Sequence, residues 1–318
     1  MASTLSRQML LSLYRTMLRI RRFEEAVAEL YSQGKVPGFV HLYIGEEAVA
    51  AGVCAALSPG DYIGSTHRGH GHCIAKGASL NRMMAELMGK SEGYCGGKGG
   101  SMHIADLSVG ILGANGIVGG GIPIAAGAAE AMAYRGTGGV AVAFFGDGAT
   151  ATGAFHETCN LAATWKLPLI LVCENNMFAE NMPFKQHMDV STAAVRAQGY
   201  EMRFEVVDGN DVIAVQESAR KAVAFAREGC GPSFIECKTY RWKGHSQGDP
   251  PPPGLEEWKS KCPIERHKSA ILQSGLAGEP ELVEIEKACG AEVQDAIQFA
   301  IKAASPDPAT AMQDLFTT

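Results

Sequence analysis

Two short polar motifs follow two apolar stretches of the chain, and their residue types suit the binding of a phosphate and its metal ion. The first motif, Gly146-Asp147-Gly148-Ala149, comes directly after the apolar residues 140–145. The second, Glu174-Asn175-Asn176, comes directly after residues 167–173. Asp147 and Asn176 offer a carboxylate and an amide oxygen, which are ligands that Mg²⁺ accepts readily. The glycines let phosphate oxygens approach backbone N–H groups, as they do at the start of many helices.

The spacing between the two motifs decides how much they indicate. Gly-Asp-Gly alone is equally well explained as a tight turn after a strand. Here 26 residues separate Gly148 from Asn175, which is the length of one strand–helix–strand crossover. Such a crossover would bring Asp147 and Asn176 to the carboxyl ends of parallel strands, where ligands bind. With this spacing the motifs resemble the thiamine diphosphate signature, in which Asn-Asn follows Gly-Asp-Gly at about this distance.

Other parts of the chain resemble one branch of the thiamine diphosphate enzymes. This branch is the alpha subunit of the decarboxylating component of 2-oxo acid and acetoin dehydrogenase complexes, and the resemblance covers about residues 5–304. The motifs that carry it lie at residues 38–47, 65–77, 98–103, 116–119 and 240–246. The stretch 66–77 is most similar to the acetoin dehydrogenase subgroup, because pyruvate-type members usually carry Tyr at the position of His67.

The resemblance implies ligands for Mg²⁺ and for the diphosphate. Mg²⁺ would be held by the side chains of Asp147 and Asn176 and by the backbone carbonyl of Phe178. The backbone N–H groups of Gly148 and Ala149 would line the diphosphate. These expectations follow from the family motif and apply to the matching positions of this chain only.

The resemblance also implies contacts to the other parts of the cofactor. Arg68 would bind the terminal phosphate through its planar guanidinium, with His67 beside it. Gly116 and Val118 would hold the aminopyrimidine through backbone groups. Two histidines would face the reacting end of the cofactor, where they could donate to a developing oxyanion or move protons. These are His41 and His245.

The implied activity is cleavage of acetoin, or decarboxylation of a 2-oxo acid such as pyruvate, with transfer of the two-carbon unit to a lipoyl group. The implied partners are a beta subunit, in an α₂β₂ heterotetramer, and the lipoyl-bearing acyltransferase of a multienzyme complex. The glutamate that activates the aminopyrimidine normally belongs to the beta subunit, and the sequence offers no good candidate for it here. The chain is therefore expected to be catalytically incomplete by itself.

Three alternatives remain open at this point. Within the family, the substrate could be pyruvate or a branched-chain 2-oxo acid. A nucleotide-dependent oxidoreductase is a second possibility, but Gly146-Asp147-Gly148 lacks the third glycine of a Gly-x-Gly-x-x-Gly motif. A non-catalytic scaffold subunit is the third, and it predicts that cofactor ligands are lost, whereas Asp147, Asn176 and Arg68 are all retained.

The elements that would position these residues alternate between strands and helices. The pattern predicts strands at residues 140–145, 167–173, 204–207 and 233–238, with helices at residues 153–165 and 211–227 between them. This order predicts an α/β fold with a doubly wound parallel sheet and helices on both faces. Residues 89–127 contain 13 glycines, which no single turn explains.

We predict a single domain over residues 1–318, with a helical arm at each end. Residues 1–34 form the N-terminal arm, and residues 248–318 form a Pro-rich loop and a C-terminal helical extension. The N-terminus carries five arginines before its first acidic residue, Glu24, which would also suit a mitochondrial transit peptide. Apolar residues at helical spacing favour an ordinary amphipathic helix ending near Gly34.

Composition excludes several other classes of protein. A net charge of −6 argues against a nucleic-acid binder, which needs a basic face. The sequence contains no run of about 18 apolar residues, so it predicts no membrane span. The nine cysteines form no Cys-x-x-Cys pair, so free thiols in a reducing, bacterial-type cytoplasm are expected, and a mitochondrial matrix location is less favoured. Charged residues make up only 19%, which predicts a large subunit interface.

Two further segments depart from simple expectations. Residues 66–72 are predicted to form a His-rich turn, in which His70 could orient Arg68 and in which a metal cluster of His67, His70 and His72 is a minor alternative. After His245, relatives typically carry a Tyr-Arg pair, whereas residues 250–255 here are Pro-rich. That change leaves open how the subunit presents its cofactor to a lipoyl domain.

Overall fold

A computed structural model describes residues 6–313 and is built around one parallel β-sheet. The sheet has six strands in the order β2-β1-β3-β4-β8-β7, and every neighbouring pair is parallel. A separate antiparallel hairpin consists of β5 and β6. The strands of the described residues are β1 (Tyr62–Gly64), β2 (Ile111–Gly113), β3 (Ala141–Gly146), β4 (Leu169–Asn175), β5 (Phe178–Ala179), β6 (Met182–Pro183), β7 (Arg203–Asp208) and β8 (Ser233–Lys238).

Helices surround the sheet and extend from both ends of the chain. In chain order, those within residues 6–313 are α1 (Arg7–Ser32), α2 (Glu47–Cys54), α3 (His70–Lys76), α4 (Leu80–Leu87), α5 (Gly121–Arg135), α6 (Gly153–Thr164), α7 (Phe184–His187), α8 (Val212–Arg227), α9 (Leu255–Lys259), α10 (Pro263–Ser274) and α11 (Glu279–Lys302). Among them, no helix has both the length and the apolar character needed to cross a membrane.

The two faces of the sheet pack against two different groups of helices. Side chains alternate between the faces of a strand, so Val142 and Phe144 of β3 lie in a core with α1, α2, α4 and α8. Ala143 and Phe145 lie in a second core with α5 and α6. Helices on both faces of a parallel sheet confirm the predicted doubly wound α/β architecture.

Helical N- and C-terminal regions are also confirmed within the described residues 6–313, and they pack against each other. A third apolar cluster joins Leu13 and Met17 of α1 to Ile271 of α10 and Leu282 of α11. The N-terminal segment from Arg7 is therefore an amphipathic helix whose apolar side is buried. The hydroxyl of Tyr14 donates to Glu286 Oε1 at 2.6 Å, which ties the two ends of the chain together.

The predicted adjacency of the two polar motifs is confirmed by the strand register. β3 pairs directly with β4, and Gly146 lies opposite Glu174. Asp147 and Asn176 therefore follow neighbouring parallel strands at the same edge of the sheet. The crossover between these strands is α6, as the spacing of the motifs predicts.

Several elements differ from the sequence predictions. The glycine-rich segment contains β2 and the first residues of α5, which lack the periodicity by which a helix or strand is recognised. The His-rich turn ends at Gly69, because His70 and His72 already belong to α3. The Pro-rich loop contains α9, and α10 follows it. All nine cysteines are free thiols.

Candidate active site

One cavity of about 350 Å³ opens at the carboxyl ends of β3 and β4. It brings together all eleven residues that the sequence analysis proposed for the cofactor and its metal ion. They are His41, His67, Arg68, Gly116, Val118, Asp147, Gly148, Ala149, Asn176, Phe178 and His245. These residues come from six separate segments of the chain, so their convergence is a product of the fold. Their individual roles remain predictions.

Asp147 is a buried carboxylate with one oxygen unused by the protein. It opens a 3₁₀ turn that follows β3, and only 1% of its surface is exposed. Its Oδ2 lies 3.0 Å from His187 Nε2, whereas its Oδ1 has no hydrogen-bond partner among residues 6–313. Burial raises the pKa of this carboxyl, and the neighbouring His187 opposes that shift. A cation at Oδ1 would relieve the cost of burying the charge.

Asn176 is held in a single orientation by bonds to both ends of its amide. Its Nδ2 donates to Glu46 Oε1 at 3.1 Å, and its Oδ1 accepts the Phe178 N–H at 3.3 Å. The second lone pair of Oδ1 stays available for a further contact. The carbonyl of Phe178 follows on the β5–β6 hairpin, next to the same cavity.

Two glycines of the cavity wall have different reasons to be glycine. A Cβ on Gly148 would lie 2.8 Å from the Cβ of Ala179, so the hairpin itself excludes a side chain there. A Cβ on Gly116 would meet no atom closer than Met102 Sδ at 3.7 Å. The protein alone does not require glycine at position 116. The free space fits a ligand that passes close to the backbone.

Arg68 lines the cavity and is buried among three neighbouring groups, with 4% of its surface exposed. Its Nη1 donates to the carbonyl of Leu42 at 2.6 Å and its Nη2 to the carbonyl of His245 at 3.0 Å. Its Nε lies 3.5 Å from Glu46 Oε2. The guanidinium is thus fixed in place beside the cavity before any ligand enters.

Three histidines meet beside Arg68. The ring centroid of His41 lies 4.7 Å from that of His67 and 4.9 Å from that of His245. Burial lowers the pKa of His41 to about 3 and that of His67 to about 2, and Arg68 contributes to both shifts. The pKa of His245 is lowered by burial too. All three imidazoles are therefore neutral near pH 7, and each can donate one N–H.

This cluster is close enough to hold a metal ion, since its ligand atoms lie within 4.8 Å of one another. The adjacent guanidinium makes it a poor cation site, however, because Arg68 already places a positive charge beside the three rings. Neutral N–H donors next to a guanidinium suit an anion better. His67 and Arg68 both line the cavity, and their contact with a phosphate stays a prediction.

The other two histidines of the His-rich segment lie in the interior, away from the cavity. His70 Nδ1 pairs with Glu24 Oε2 at 2.9 Å and its Nε2 with Ser101 Oγ at 2.8 Å. His70 therefore bridges α1 and the glycine-rich segment, and the predicted orientation of Arg68 by His70 is not found. His72 pairs with Ser65 and with Glu174. A metal cluster of His67, His70 and His72 is excluded by this arrangement.

Five charged or titratable residues of the site were not predicted. Glu46, Glu174, Glu180 and Arg241 line the cavity, and His187 contacts Asp147 from α7. Glu46 and Arg241 lie within motifs 38–47 and 240–246, which offered a signal. Glu174 is already engaged by Tyr43 and His72, and Glu46 by Asn176. Both acids thus serve the chain's own side chains.

Arg241 is the most isolated of these groups. It is 3% exposed, and its Nη2 donates to the carbonyl of Glu180. Its Nε has no hydrogen-bond partner in the part of the chain that the structure describes. Burial and the proximity of Arg68 lower its pKa to about 10. It thus remains charged near pH 7. The cavity therefore has two guanidinium groups in its wall.

The Pro-rich loop is attached to this site by a row of aromatic rings. The Phe178 ring meets the Tyr240 ring edge to face, with 5.9 Å between centroids. Tyr240 stacks on Trp258 of α9 at 5.0 Å, and its hydroxyl donates to the carbonyl of Pro253. The loop that lacks the Tyr-Arg pair of relatives is thus packed against the hairpin that carries Phe178.

Comparisons with known proteins agree with these motifs. The family described as "Dehydrogenase E1 component" matches residues 15–309. The alpha subunit of acetoin:2,6-dichlorophenolindophenol oxidoreductase from Bacillus subtilis is 48% identical over 99% of this chain and 96% of its own length. The protein of the same name from Cupriavidus necator is 44% identical over 100% of this chain and 97% of its own length.

A pyruvate dehydrogenase E1 component subunit alpha, from Porphyra purpurea, is 41% identical over 96% of this chain and 91% of its own length. The family match covers both the cavity and the strands that form it. The chain belongs to the dehydrogenase E1 component family.

Proposed function

We propose that this chain is the alpha subunit of a thiamine diphosphate-dependent dehydrogenase component that cleaves acetoin and passes the two-carbon unit to a lipoyl group. The observation that carries the proposal is the convergence of Asp147, Asn176 and Arg68 on one cavity at the carboxyl edge of the sheet. The two acetoin-oxidoreductase relatives are similar over nearly the whole chain, which supports acetoin as the substrate.

Membership of the family implies dependence on thiamine diphosphate, and the cavity fits this group in two respects. Asp147 Oδ1 is buried without a partner, as expected for an atom whose partner is a bound cation. Gly116 leaves space that the protein itself does not fill. When bound, thiamine diphosphate supplies the carbanion that adds to the substrate carbonyl and stabilises the two-carbon fragment after cleavage.

Mg²⁺ would be held by Asp147, Asn176 and the carbonyl of Phe178. A carboxylate, an amide oxygen and a backbone carbonyl are hard oxygen ligands, which Mg²⁺ combines with phosphate oxygens in nucleotide and cofactor sites. The fixed orientation of Asn176 supports this assignment, because its Oδ1 and not its Nδ2 is directed away from Glu46. His187 would keep the Asp147 carboxylate in place.

The diphosphate would be bound by backbone and side-chain donors on the same side of the cavity. Gly148 and Ala149 would donate backbone N–H groups, and Arg68 would bind the terminal phosphate with His67 beside it. Gly116 and Val118 would hold the aminopyrimidine through their backbone.

His41 and His245 would face the reacting end of the cofactor. Because the pKa values of both are lowered by burial, they would act as neutral N–H donors rather than as imidazolium acids near pH 7. Donation to a developing oxyanion is then the better supported of their two expected roles. The unpartnered Nδ1 of His41 leaves this ring free to accept or donate there.

A beta subunit would complete the site in an α₂β₂ heterotetramer, which would deliver its product to a lipoyl-bearing acyltransferase. Apolar side chains near the cavity support a protein interface, since Phe39 is 71%, Ile117 74% and Val118 54% exposed in the isolated chain. We also propose that residues 1–318 form a single domain. The nine free thiols support a reducing, cytoplasmic location.

Pyruvate is the second candidate substrate. It is favoured by the relatives named as pyruvate dehydrogenase subunits, such as that of Porphyra purpurea at 41% identity. It is disfavoured by His67, at a position where pyruvate-type members usually carry Tyr. Neither substrate would contact this chain alone, because the acceptor pocket would be shared with the beta subunit.

Two measurements test the proposal. Calorimetric titration with thiamine diphosphate and Mg²⁺, with and without the beta subunit, should show tight binding only for the assembled protein. The reconstituted enzyme should then reduce an artificial electron acceptor faster with acetoin than with pyruvate or branched-chain 2-oxo acids. Tight cofactor binding and turnover by the isolated chain would contradict a site shared with the beta subunit. Faster reaction with pyruvate would mean that pyruvate, not acetoin, is the substrate.

A further inference from the structure

Glu46 is the least expected titratable group of the site, because it is a buried acid with no solvent contact. It lies immediately before α2 and is 0% exposed. Its Oε1 accepts the Asn176 Nδ2–H at 3.1 Å, and its Oε2 lies 3.5 Å from Arg68 Nε without forming a hydrogen bond. One carboxyl group therefore stands between the proposed metal ligand and the proposed phosphate-binding arginine.

The contact to Asn176 has a directional consequence. An asparagine amide can present either its oxygen or its NH₂ group to a ligand, and only the oxygen can bind a cation. Burial raises the pKa of Glu46 to about 8, but in either charge state the carboxyl oxygen that carries no proton accepts hydrogen bonds only. Oε1 in that role attracts the NH₂ end of Asn176. With Nδ2 directed at Glu46, Oδ1 is left facing the Phe178 N–H and the cavity.

The neighbouring residue, Asn175 at the end of β4, is fixed by the same kind of contact. Asn175 Nδ2 donates to Glu236 Oε1 at 2.7 Å, and its Oδ1 accepts the Met177 N–H at 3.1 Å. Glu236 also accepts bonds from Thr192 and from the Ala194 N–H, so both of its oxygens are bonded. Asn175 does not line the cavity.

The two pairs therefore differ in what the second carboxylate oxygen does. In the Asn175 pair that oxygen is bonded within the core, and the pair supports the packing of residues 192–194. In the Asn176 pair it remains unbonded beside Arg68. Asn175 is therefore fixed for packing, whereas Asn176 is fixed in an orientation that suits ligand binding.

We infer that Glu46 is a positioning residue that holds the Asn176 amide with its oxygen toward the metal ion and at the same time keeps Arg68 in line with the diphosphate. This inference rests on the proposed function of the cavity. Groups that orient a metal ligand typically change metal affinity by 10- to 100-fold when they are removed. Glu46 thus sets metal affinity without touching the metal.

The test measures metal binding directly and needs no turnover. The probe is Mn²⁺, titrated by electron paramagnetic resonance against the full chain, assembled with its beta subunit, in saturating thiamine diphosphate. Glu46→Leu removes both oxygens, and Glu46→Gln keeps an amide oxygen that can accept the Asn176 N–H. We expect Glu46→Leu to weaken Mn²⁺ binding by about 10- to 100-fold, and Glu46→Gln to stay within about fivefold of the parent.

Matched controls come from the other pair. Glu236→Leu should lower the melting temperature and leave the Mn²⁺ affinity of the folded protein within about twofold. If Glu46→Leu does not fold, Glu46→Met provides a second apolar side chain of similar length. Parent-like Mn²⁺ affinity in whichever apolar variant folds would overturn the inference.

Asp147→Asn distinguishes this failure from failure of the proposed site. If Asp147→Asn loses Mn²⁺ affinity and Glu46→Leu keeps it, the proposed metal site is supported but the positioning role of Glu46 is wrong. Parent-like affinity in both variants would overturn the metal site as well. If Glu46→Gln and Glu46→Leu lose equal Mn²⁺ affinity, the hydrogen bond that Glu46 accepts from Asn176 is not the cause of the effect.

Discussion

Two buried carboxylates of this protein, Glu86 and Asp147, are surrounded by glycine-rich backbone but end in opposite situations. Glu86, on α4, is 0% exposed and accepts four backbone N–H groups. Its Oε2 accepts those of Cys95 and Gly97 at 2.7 and 3.0 Å, and its Oε1 accepts those of Gly99 and Gly100 at 2.8 and 2.9 Å. Both oxygens of this side chain are fully used by the protein itself.

Asp147 is equally buried but only half satisfied. One oxygen lies against His187, and the other has no partner within the described residues. A native protein rarely leaves a buried acceptor unbonded unless a ligand, an ion or a reaction requires it. Glycine-rich backbone therefore has two settings here. Around Glu86 its N–H groups bond a carboxylate of the protein itself, whereas beside Asp147 it would leave room for the proposed diphosphate and metal ion.

Replacement of Asp147 should have the largest effect on function. Asp147→Asn keeps the shape and removes the charge, so we expect Mg²⁺-dependent binding of thiamine diphosphate to weaken by more than about 100-fold, or about 2.7 kcal/mol. Calorimetric titration measures this loss. Unchanged affinity would mean that Asp147 does not bind the metal ion, and its unbonded oxygen would then not differ from Glu86 for a functional reason.

Replacement of Glu86 should have the largest effect on stability. Glu86→Gln places an NH₂ group against two backbone donors, and we expect the free energy of unfolding to fall by about 2–4 kcal/mol. Urea denaturation measures this change, with the exposed Glu256→Gln as the control. The fraction that remains folded should still bind Mg²⁺ and thiamine diphosphate normally. A loss of affinity in the folded fraction would make Glu86 part of the site.

A smaller effect is expected from the group that supports Asp147. His187→Gln should weaken Mg²⁺ binding by about tenfold, because the Asp147 carboxylate would lose the contact that orients it. The matched control is His156→Gln, since His156 bonds Tyr200 and Arg196 outside the cavity. Titrations of both variants under identical conditions measure the difference. Equal affinities would show that Asp147 is held by its backbone alone.

The smallest effect concerns pH. Burial raises the pKa of Asp147 in the folded state, so the unfolded chain releases this proton at lower pH than the folded protein does. In the absence of metal, the contribution of this group to stability is therefore greatest below about pH 3.8 and is lost as the pH rises through the raised pKa. The loss is about 1.4 kcal/mol for each pH unit between the unfolded and folded pKa values. Asp147→Asn should therefore gain stability over the parent at pH 8, and less at pH 4. Thermal melts in a chelating buffer measure this gain, and a pH-independent difference would contradict it.

The sequence was sufficient to predict the sheet edge and the two motifs that meet there. Apolar runs ending in Gly-Asp-Gly and Asn-Asn carry both strand character and chemical type, and their spacing matches one crossover. Arg68, Gly116 and the histidines have no such local signal, and only the family resemblance indicated them. Their meeting in one cavity depends on contacts between segments as distant as residues 68 and 245.

The unpredicted parts share a physical reason. α5 and β2 lie in or beside a glycine-rich stretch in which small residues hide any periodicity, so packing alone defines them. The bonds of Glu86 and of His187 join side chains to partners whose positions depend on tertiary structure. Sequence patterns indicate burial and turn chemistry well, but they do not indicate which buried acid has both of its oxygens hydrogen-bonded within the protein. That distinction depends on the three-dimensional arrangement.

The direct succession of Asn175 and Asn176 at the end of β4 has a consequence for how this lineage can change. The two side chains bond different acids, so deleting one residue within β4 would place Asn176 where Asn175 now stands. The asparagine beside Glu46 would then face Glu236, and the cavity would lose its amide oxygen. Surface connections can vary in length over evolutionary time, whereas a deletion in this strand would remove a proposed metal ligand from the cavity.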